Sequence, residues 1–258
     1  MKFPCLIAAR MGSSRLPGKT LMKIEGREMI GMIIDRVKMS PYVSDILIAT
    51  TDLPEDDKLV NWATQEGIST FRGQSFDMLG RISDAVKYIG ASSFIEVLGD
   101  NPLIESKVID EVCKKYQTSN YDYVSLLTKE YPNFCFKDSN LFPVGIRAQV
   151  MSVKAIQKAS KFATDKSHRE HATTYIIDNP TDFKIGLVEA SKNFKELNMP
   201  DYTFAVNVKA NLEMIKNIVC KLNKKFEKWE LKDVINLVKN DNYILSLMGN
   251  EALWKENK

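Results

Sequence analysis

The sequence predicts an α/β fold built on a doubly wound, mostly parallel sheet with a small inserted lobe. Three observations carry that expectation. Short apolar runs alternate with helix-periodic stretches through the first half of the chain. Each run ends in small or polar residues, as strands do where they feed a loop at the edge of a parallel sheet. The alternation loosens from about Lys129 to Asp201 and returns to helical patterning over the last 50 or so residues.

Phe3–Ala9 reads as the first strand, followed by a polar, Gly-containing loop from Arg10 to Lys19. Met29, Ile30, Ile33, Ile34 and Val37 then recur at helical spacing. Ile46–Thr50 is a second strand ending at Thr51-Asp52, and Pro54 with Glu55-Asp56-Asp57 opens a helix that closes at Gly67. Ile68–Phe71 is a third strand, Asp77–Tyr88 a helix, Phe94–Leu98 a fourth strand ending at Gly99-Asp100, Ser106–Tyr116 a helix, and Tyr123–Leu127 a further strand. Residues 1–258 are expected to form one domain, with 129–201 as an inserted lobe for acceptor binding or dimerisation. Tyr131, Phe134, Phe136 and Phe142 in that lobe read as lobe core or dimer contact before acceptor stacking. Near the end, Leu222, Phe226, Trp229, Val234, Leu237 and Val238 form an apolar stripe between lysines, read as core or dimer packing.

Composition narrows the function classes. With 258 residues, 44% hydrophobic and 27% charged, the chain is an ordinary globular one, and a net charge of +3 without basic-aromatic interleaving argues against nucleic-acid binding. No window approaches a membrane span, and the apolar part of the N-terminus is too short for a signal peptide. Cys5, Cys113, Cys135 and Cys220 lack C-x-x-C spacing and read as free buried thiols, so the expected location is cytoplasmic.

In doubly wound sheets, ligands bind beyond the carboxyl ends of the strands. The polar clusters after the strands should therefore converge on one edge. The richest of them, Ala8-Ala9-Arg10-Met11-Gly12-Ser13-Ser14-Arg15-Leu16-Pro17-Gly18-Lys19, supplies cations and glycine-flanked amides for a polyphosphate. It is not a P-loop. Five residues separate Gly12 from Gly18 where that motif has four, and Gly26 interrupts the helix that should follow.

This loop resembles the signature of the cytidylyltransferases that include 3-deoxy-manno-octulosonate cytidylyltransferase, with the nearest likeness to the spore-coat polysaccharide branch. Ala49-Thr50-Thr51-Asp52, Arg72-Gly73 with Asp77-x-Leu79-x-Arg81, Gly99-Asp100-Asn101-Pro102-Leu103-Ile104 and Arg169-Glu170-His171-x-Thr173 follow in the family's order. The resemblance implies a fold of the nucleotide-diphospho-sugar transferase type and transfer of CMP from CTP to an acidic or phosphorylated sugar-like acceptor. It implies that Arg10, Arg15 and Lys19 grip the triphosphate, with Asp100 on Mg²⁺. It places Ala8, Ala9, Gly12, Ser13, Ser14, Gly18, Thr51, Asp52, Arg72 and Asp77 around the nucleotide. Arg169, Glu170 and His171 would line the acceptor side, and a homodimer is the family's habit.

One position departs from the pattern. Phe204-Ala205-Val206-Asn207-Val208 carries asparagine where relatives place a second metal-ligating aspartate. A single-metal site, a site completed by the acceptor's own oxygens, and a weakened catalyst all stay open, and the second is favoured. GTP or UTP as donor and a nucleotide-binding sensor are the competing functions. His168 and His171, three apart, lack the further ligands of a zinc site. Asp52 could instead cap the next helix, and Arg169 with Glu170 could be a surface ion pair.

Overall fold

A seven-stranded sheet with helices on both faces organises the protein. The structure, a computed structural model, describes residues 1–222 and 229–249. Strands β1 (Phe3–Ala8), β4 (Val43–Thr51), β5 (Ser69–Gly73), β6 (Ser93–Leu98), β7 (Tyr123–Leu126), β8 (Ala148–Ser152) and β9 (Ile185–Val188) lie in the order β5-β4-β1-β6-β8-β7-β9. Only β8 runs against the others: it is antiparallel to both β6 and β7, whereas β1–β4, β1–β6, β4–β5 and β7–β9 are parallel pairs. A two-stranded ribbon, β2 (Lys23–Ile24) and β3 (Arg27–Glu28), turns through Glu25 and Gly26, both with positive φ. That turn explains why Gly26 stops a helix from following the Arg10–Lys19 loop.

Strand alternation sorts side chains between two cores. On β1, Phe3, Cys5 and Ile7 join one core and Leu6 the other. Helices α1 (Met29–Val37), α2 (Asp57–Gln65) and α4 (Ser106–Gln117) cover the first face together with α8 (Lys209–Leu222), α9 (Leu231–Lys239) and α10 (Asn242–Met248). Helices α3 (Met78–Ile89), α5 (Val153–Phe162) and α7 (Thr174–Asp178) cover the second, and α6 (Lys166–Glu170) lies against α3. No helix of the described residues is long and apolar enough to cross a membrane.

Residues 129–201 contribute β8 and β9 to this same sheet. Their sequences, AQVMS and IGLV, are short and interrupted by Gln149 and Gly186, so neither shows a clean strand period. Within that stretch Tyr131 and Phe142 are buried, and Phe136 is exposed. In the C-terminal stripe Trp229, Val234 and Val238 are core, with Leu222 and Leu237 packed against it; Phe226 lies outside the described residues. The Arg36 guanidinium stacks 3.8 Å over the Trp229 ring, and burial lowers its pKa to about 10. The cysteines are free, but only Cys5 and Cys113 are buried, and Cys220 is exposed because it falls on the outer face of α8.

Candidate active site

The ends of β1, β4 and β6 bring the polar clusters together. The Ala9 amide donates to the Ala49 carbonyl at 3.2 Å, and the Gly99 amide donates to the Ala8 carbonyl at 3.0 Å. A side chain at Gly99 would place its Cβ 2.7 Å from that same carbonyl, so glycine is needed for the strand ends to meet. Beyond them the loop from Arg10 to Lys19 folds on itself. The Met11 carbonyl accepts from the Ser13 and Gly18 amides, both at 2.9 Å, and the Thr20 hydroxyl donates to the Arg10 carbonyl at 2.7 Å. Gly18 adopts φ 75° and redirects the chain into the short 3₁₀ turn Lys19–Leu21. Ser13 Oγ accepts from the Leu16 amide at 3.4 Å, which shapes the loop's outer bend. Gly12 lies beside the Glu55 carboxylate.

That turn delivers Lys19 to the centre of the site. Its Nζ sits 3.3 Å from Asp100 Oδ2 and donates to the Val206 carbonyl at 2.5 Å. The Val206 amide in turn donates to the Asp100 carbonyl at 2.9 Å, which joins the segment before α8 to the end of β6. Arg15 donates to Asn207 Oδ1 at 3.0 Å, and the Asn207 and Val208 amides donate to Asn211 Oδ1, each at 3.1 Å. Lys19, Asp100, Arg15 and Asn207 thus form one cluster drawn from three distant parts of the chain.

Asp56 is a neighbour of this cluster that the motifs do not reveal. It is fully buried, and one carboxylate oxygen accepts from the Met11 amide at 2.5 Å. The other accepts from the Thr51 amide at 3.1 Å and from the Thr51 hydroxyl. It therefore ties the Arg10–Lys19 loop to the end of β4. The acidic run Glu55-Asp56-Asp57 was visible as a helix start, but the partner across 45 residues was not. Asp52 is exposed and does not cap the following helix, whose start is occupied by Asp56.

Arg72 braces the same loop. It donates to the carbonyls of Thr51 and Leu53, at 3.0 and 2.8 Å, and to Asp57 at 2.6 Å. Arg10 is exposed and reaches toward the Ser75 carbonyl at 3.5 Å. Asp77 caps α3 through the Gly80 amide at 2.8 Å and pairs with Arg169, whose other arm donates to the Ser160 carbonyl at 2.7 Å. Burial, then the charge of Arg10, lowers the pKa of the neighbouring Arg81.

The remaining candidates separate. Glu170 is exposed and pairs only loosely with Lys166 at 3.7 Å. His168 binds Asp178 at 3.0 Å and stacks edge-on against Tyr175, so it does not join His171. His171 lies on the rim of a cavity of about 230 Å³, where Thr173, Leu98 and Tyr131 also contribute to the wall.

A hard divalent cation takes oxygen ligands and leaves room for substrate phosphates. Asp100 and Asn207 offer a carboxylate and an amide oxygen beside the loop, and they now face Lys19 and Arg15. Among the described residues no group of three His, Cys, Asp or Glu could hold a metal by itself. The donor set therefore fits a cation whose coordination phosphate oxygens complete.

Comparison with known proteins identifies the family. Residues 4–234 match the model of the cytidylyltransferase family. An uncharacterised protein of Methanocaldococcus jannaschii is 30% identical over 254 residues, covering 97% of this chain and 96% of its own. The spore coat polysaccharide biosynthesis protein SpsF of Bacillus subtilis is 27% identical, covering 82% of this chain and 83% of its own. The solved cytidylyltransferase of Leptospira borgpetersenii superposes with a TM-score of 0.82 at 25% identity, over 97% of this chain and 98% of its own. A CMP:2-keto-3-deoxy-manno-octonic acid synthetase solved with CTP shares the fold at a TM-score of 0.63 and 17% identity, covering 86% of this chain and all of its own. Sheet order, strand-end cluster and family match together lead to one assignment: the chain belongs to the cytidylyltransferase family.

Proposed function

We propose that the protein transfers CMP from CTP to an acidic or phosphorylated sugar-like acceptor, releasing pyrophosphate, in the making of a surface glycan. The carrying observation is the meeting of Lys19 with Asp100 at the strand ends, next to Arg15 and Asn207. Support for the acceptor class comes from relatives whose names include 3-deoxy-manno-octulosonate cytidylyltransferase, aligned over about half of this chain.

In this reading an acceptor hydroxyl oxygen forms a bond to the α-phosphorus and the bond to the β-phosphate oxygen breaks. The hydroxyl proton leaves to solvent and pyrophosphate carries away the electron pair. Lys19, Arg10 and Arg15 neutralise the charge that grows on the phosphate oxygens, and the loop amides position them. Asp100 and Asn207 would hold Mg²⁺, which when bound supplies further charge neutralisation. Asp56 and Arg72 keep the loop in place, and the cavity edged by His171 receives the acceptor. A homodimer belongs to the same reading, with exposed Phe136 of the 129–201 stretch as a contact.

Thermal shift with each of the four NTPs and Mg²⁺ tests the donor, because a ligand of the native state raises the melting temperature. CTP should give the largest shift; a shift with only GTP or UTP would move the donor assignment. Pyrophosphate release across acidic sugars and sugar phosphates tests the reaction. Asn207 is the observation behind a second reading, a nucleotide sensor. Tight CTP binding with no release across the whole panel would favour it.

A further inference from the structure

The cavity beside the strand ends contains a buried acid that phosphate chemistry does not use. Glu96 sits on β6, four residues before Asp100, and pairs in register with Gln149 of β8. Its neighbours Ile95 and Val97 enter the first core, so Glu96 and Leu98 face the other side of the sheet and line the cavity. Glu96 is 1% exposed. Gln149 Nε2 donates to one carboxylate oxygen at 2.5 Å, while Oε1 has no hydrogen-bond partner among the described residues. Buried polar atoms are almost always paired, and an orphan on a cavity wall points to a ligand atom.

The charges on the wall say what kind of atom. Arg147 is the cavity's guanidinium, with its side chain 13% exposed. One Nη donates to Tyr131 Oη at 2.9 Å and to Glu130 at 3.4 Å, while Nε has no hydrogen-bond partner among the described residues. Burial works against its charge, but Glu130, Tyr131, Tyr123 and Glu96 outweigh that and hold its pKa up. Glu96, Glu130 and Asp178, the last of which pairs with His168, together therefore outnumber Arg147 on the wall once Glu96 is ionised. Burial raises the Glu96 carboxyl to about 7, so a nearby cation would draw off its proton at neutral pH. An anionic ligand group placed here would add to the excess, whereas an ammonium group would cancel it and partner Oε1.

We infer that the acceptor carries an amino group seated against Glu96, making Glu96 a specificity-determining residue for amino-substituted sugar acids. The inference rests on the CMP-transfer reading. The acceptor's acidic group then lies outside this pocket.

The test uses the full chain with CTP, Mg²⁺ and matched pairs of octulosonic and nonulosonic acids, each pair differing by a hydroxyl or an amino group at one carbon. The first pair is 3-deoxy-manno-octulosonate and 8-amino-3,8-dideoxy-manno-octulosonate. For at least one pair, kcat/KM should favour the amino member by about tenfold or more. Glu96→Gln should erase that preference without changing the CTP-induced thermal shift. Should Glu96→Gln fold poorly, Glu96→Asp keeps the charge but withdraws it by a methylene, and should reduce the preference in the same direction. Equal or better use of hydroxyl members in every pair overturns the inference while leaving the transfer reading intact, as does a preference that both variants preserve. Absence of both a CTP shift and pyrophosphate release overturns the transfer reading and this inference with it.

Discussion

Lys19 and Asp100 stand 81 positions apart in the chain and 3.3 Å apart in space. Both are partly withdrawn from solvent, and in the proposed reaction their mutual pairing would give way to a phosphate and its counter-ion. Removing the cation tests its share. Lys19→Ala should lower kcat about 10²–10³-fold, the usual cost of deleting one positioned donor at a developing charge. Circular dichroism should stay that of the wild type. A rate within threefold of the wild type would remove Lys19 from the chemistry.

Asp100→Asn keeps the shape and deletes the charge. Steady-state rates against Mg²⁺ concentration should lose their saturating rise in this variant, leaving a low, flat baseline. A normal Mg²⁺ curve would place the ion elsewhere.

Asp56 predicts a different signature, since it holds the loop and not the phosphate. Asp56→Ala leaves the buried amide of Thr51 and the part-buried amide of Met11 without their acceptor, at a cost of about 1–3 kcal/mol for the Thr51 amide and less for that of Met11. Urea unfolding should show that loss, and the KM for CTP should rise about tenfold or more because the loop is no longer tied to β4. Unchanged stability and KM would contradict the positioning role.

Glu96 makes the fold's stability pH-dependent. Its carboxyl is raised from about 4.5 to about 7, so between those values the folded chain holds a proton that the unfolded chain has lost. Stability therefore falls as pH rises through that window, by up to about 3 kcal/mol for this group once ionisation is complete. Glu96→Gln should flatten the slope, gaining on the wild type at pH 8 and little at pH 4.5. Parallel curves for the two proteins would show that Glu96 titrates normally.

Trp229 anchors the C-terminal helices through its buried ring over Arg36. Trp229→Ala should cost about 3–5 kcal/mol in chemical denaturation, the range for large aromatic truncations in cores. A loss below 1 kcal/mol would mean the surroundings collapse to fill the gap.

Periodicity was enough to identify the parallel half of the sheet, because strands buried on both faces read as apolar runs and their helices as 3.6-residue stripes. The strand-end rule then placed the loops after β1, β4 and β6 on one edge, and residue chemistry marked Lys19 and Asp100 as the pair to watch. What tertiary structure alone decided was every partnership with weak local signal. β8 and β9 carry too little period to declare themselves, yet long-range pairing draws them into the sheet. Asp56 looks like any helix-start acid until Met11 folds against it, and Glu96 like a polar interruption of a strand until Gln149 and Arg147 close around it. Local sequence encodes what a residue's neighbours in the chain can do. Burial, and the charge balance that burial enforces, exist only once distant segments have met.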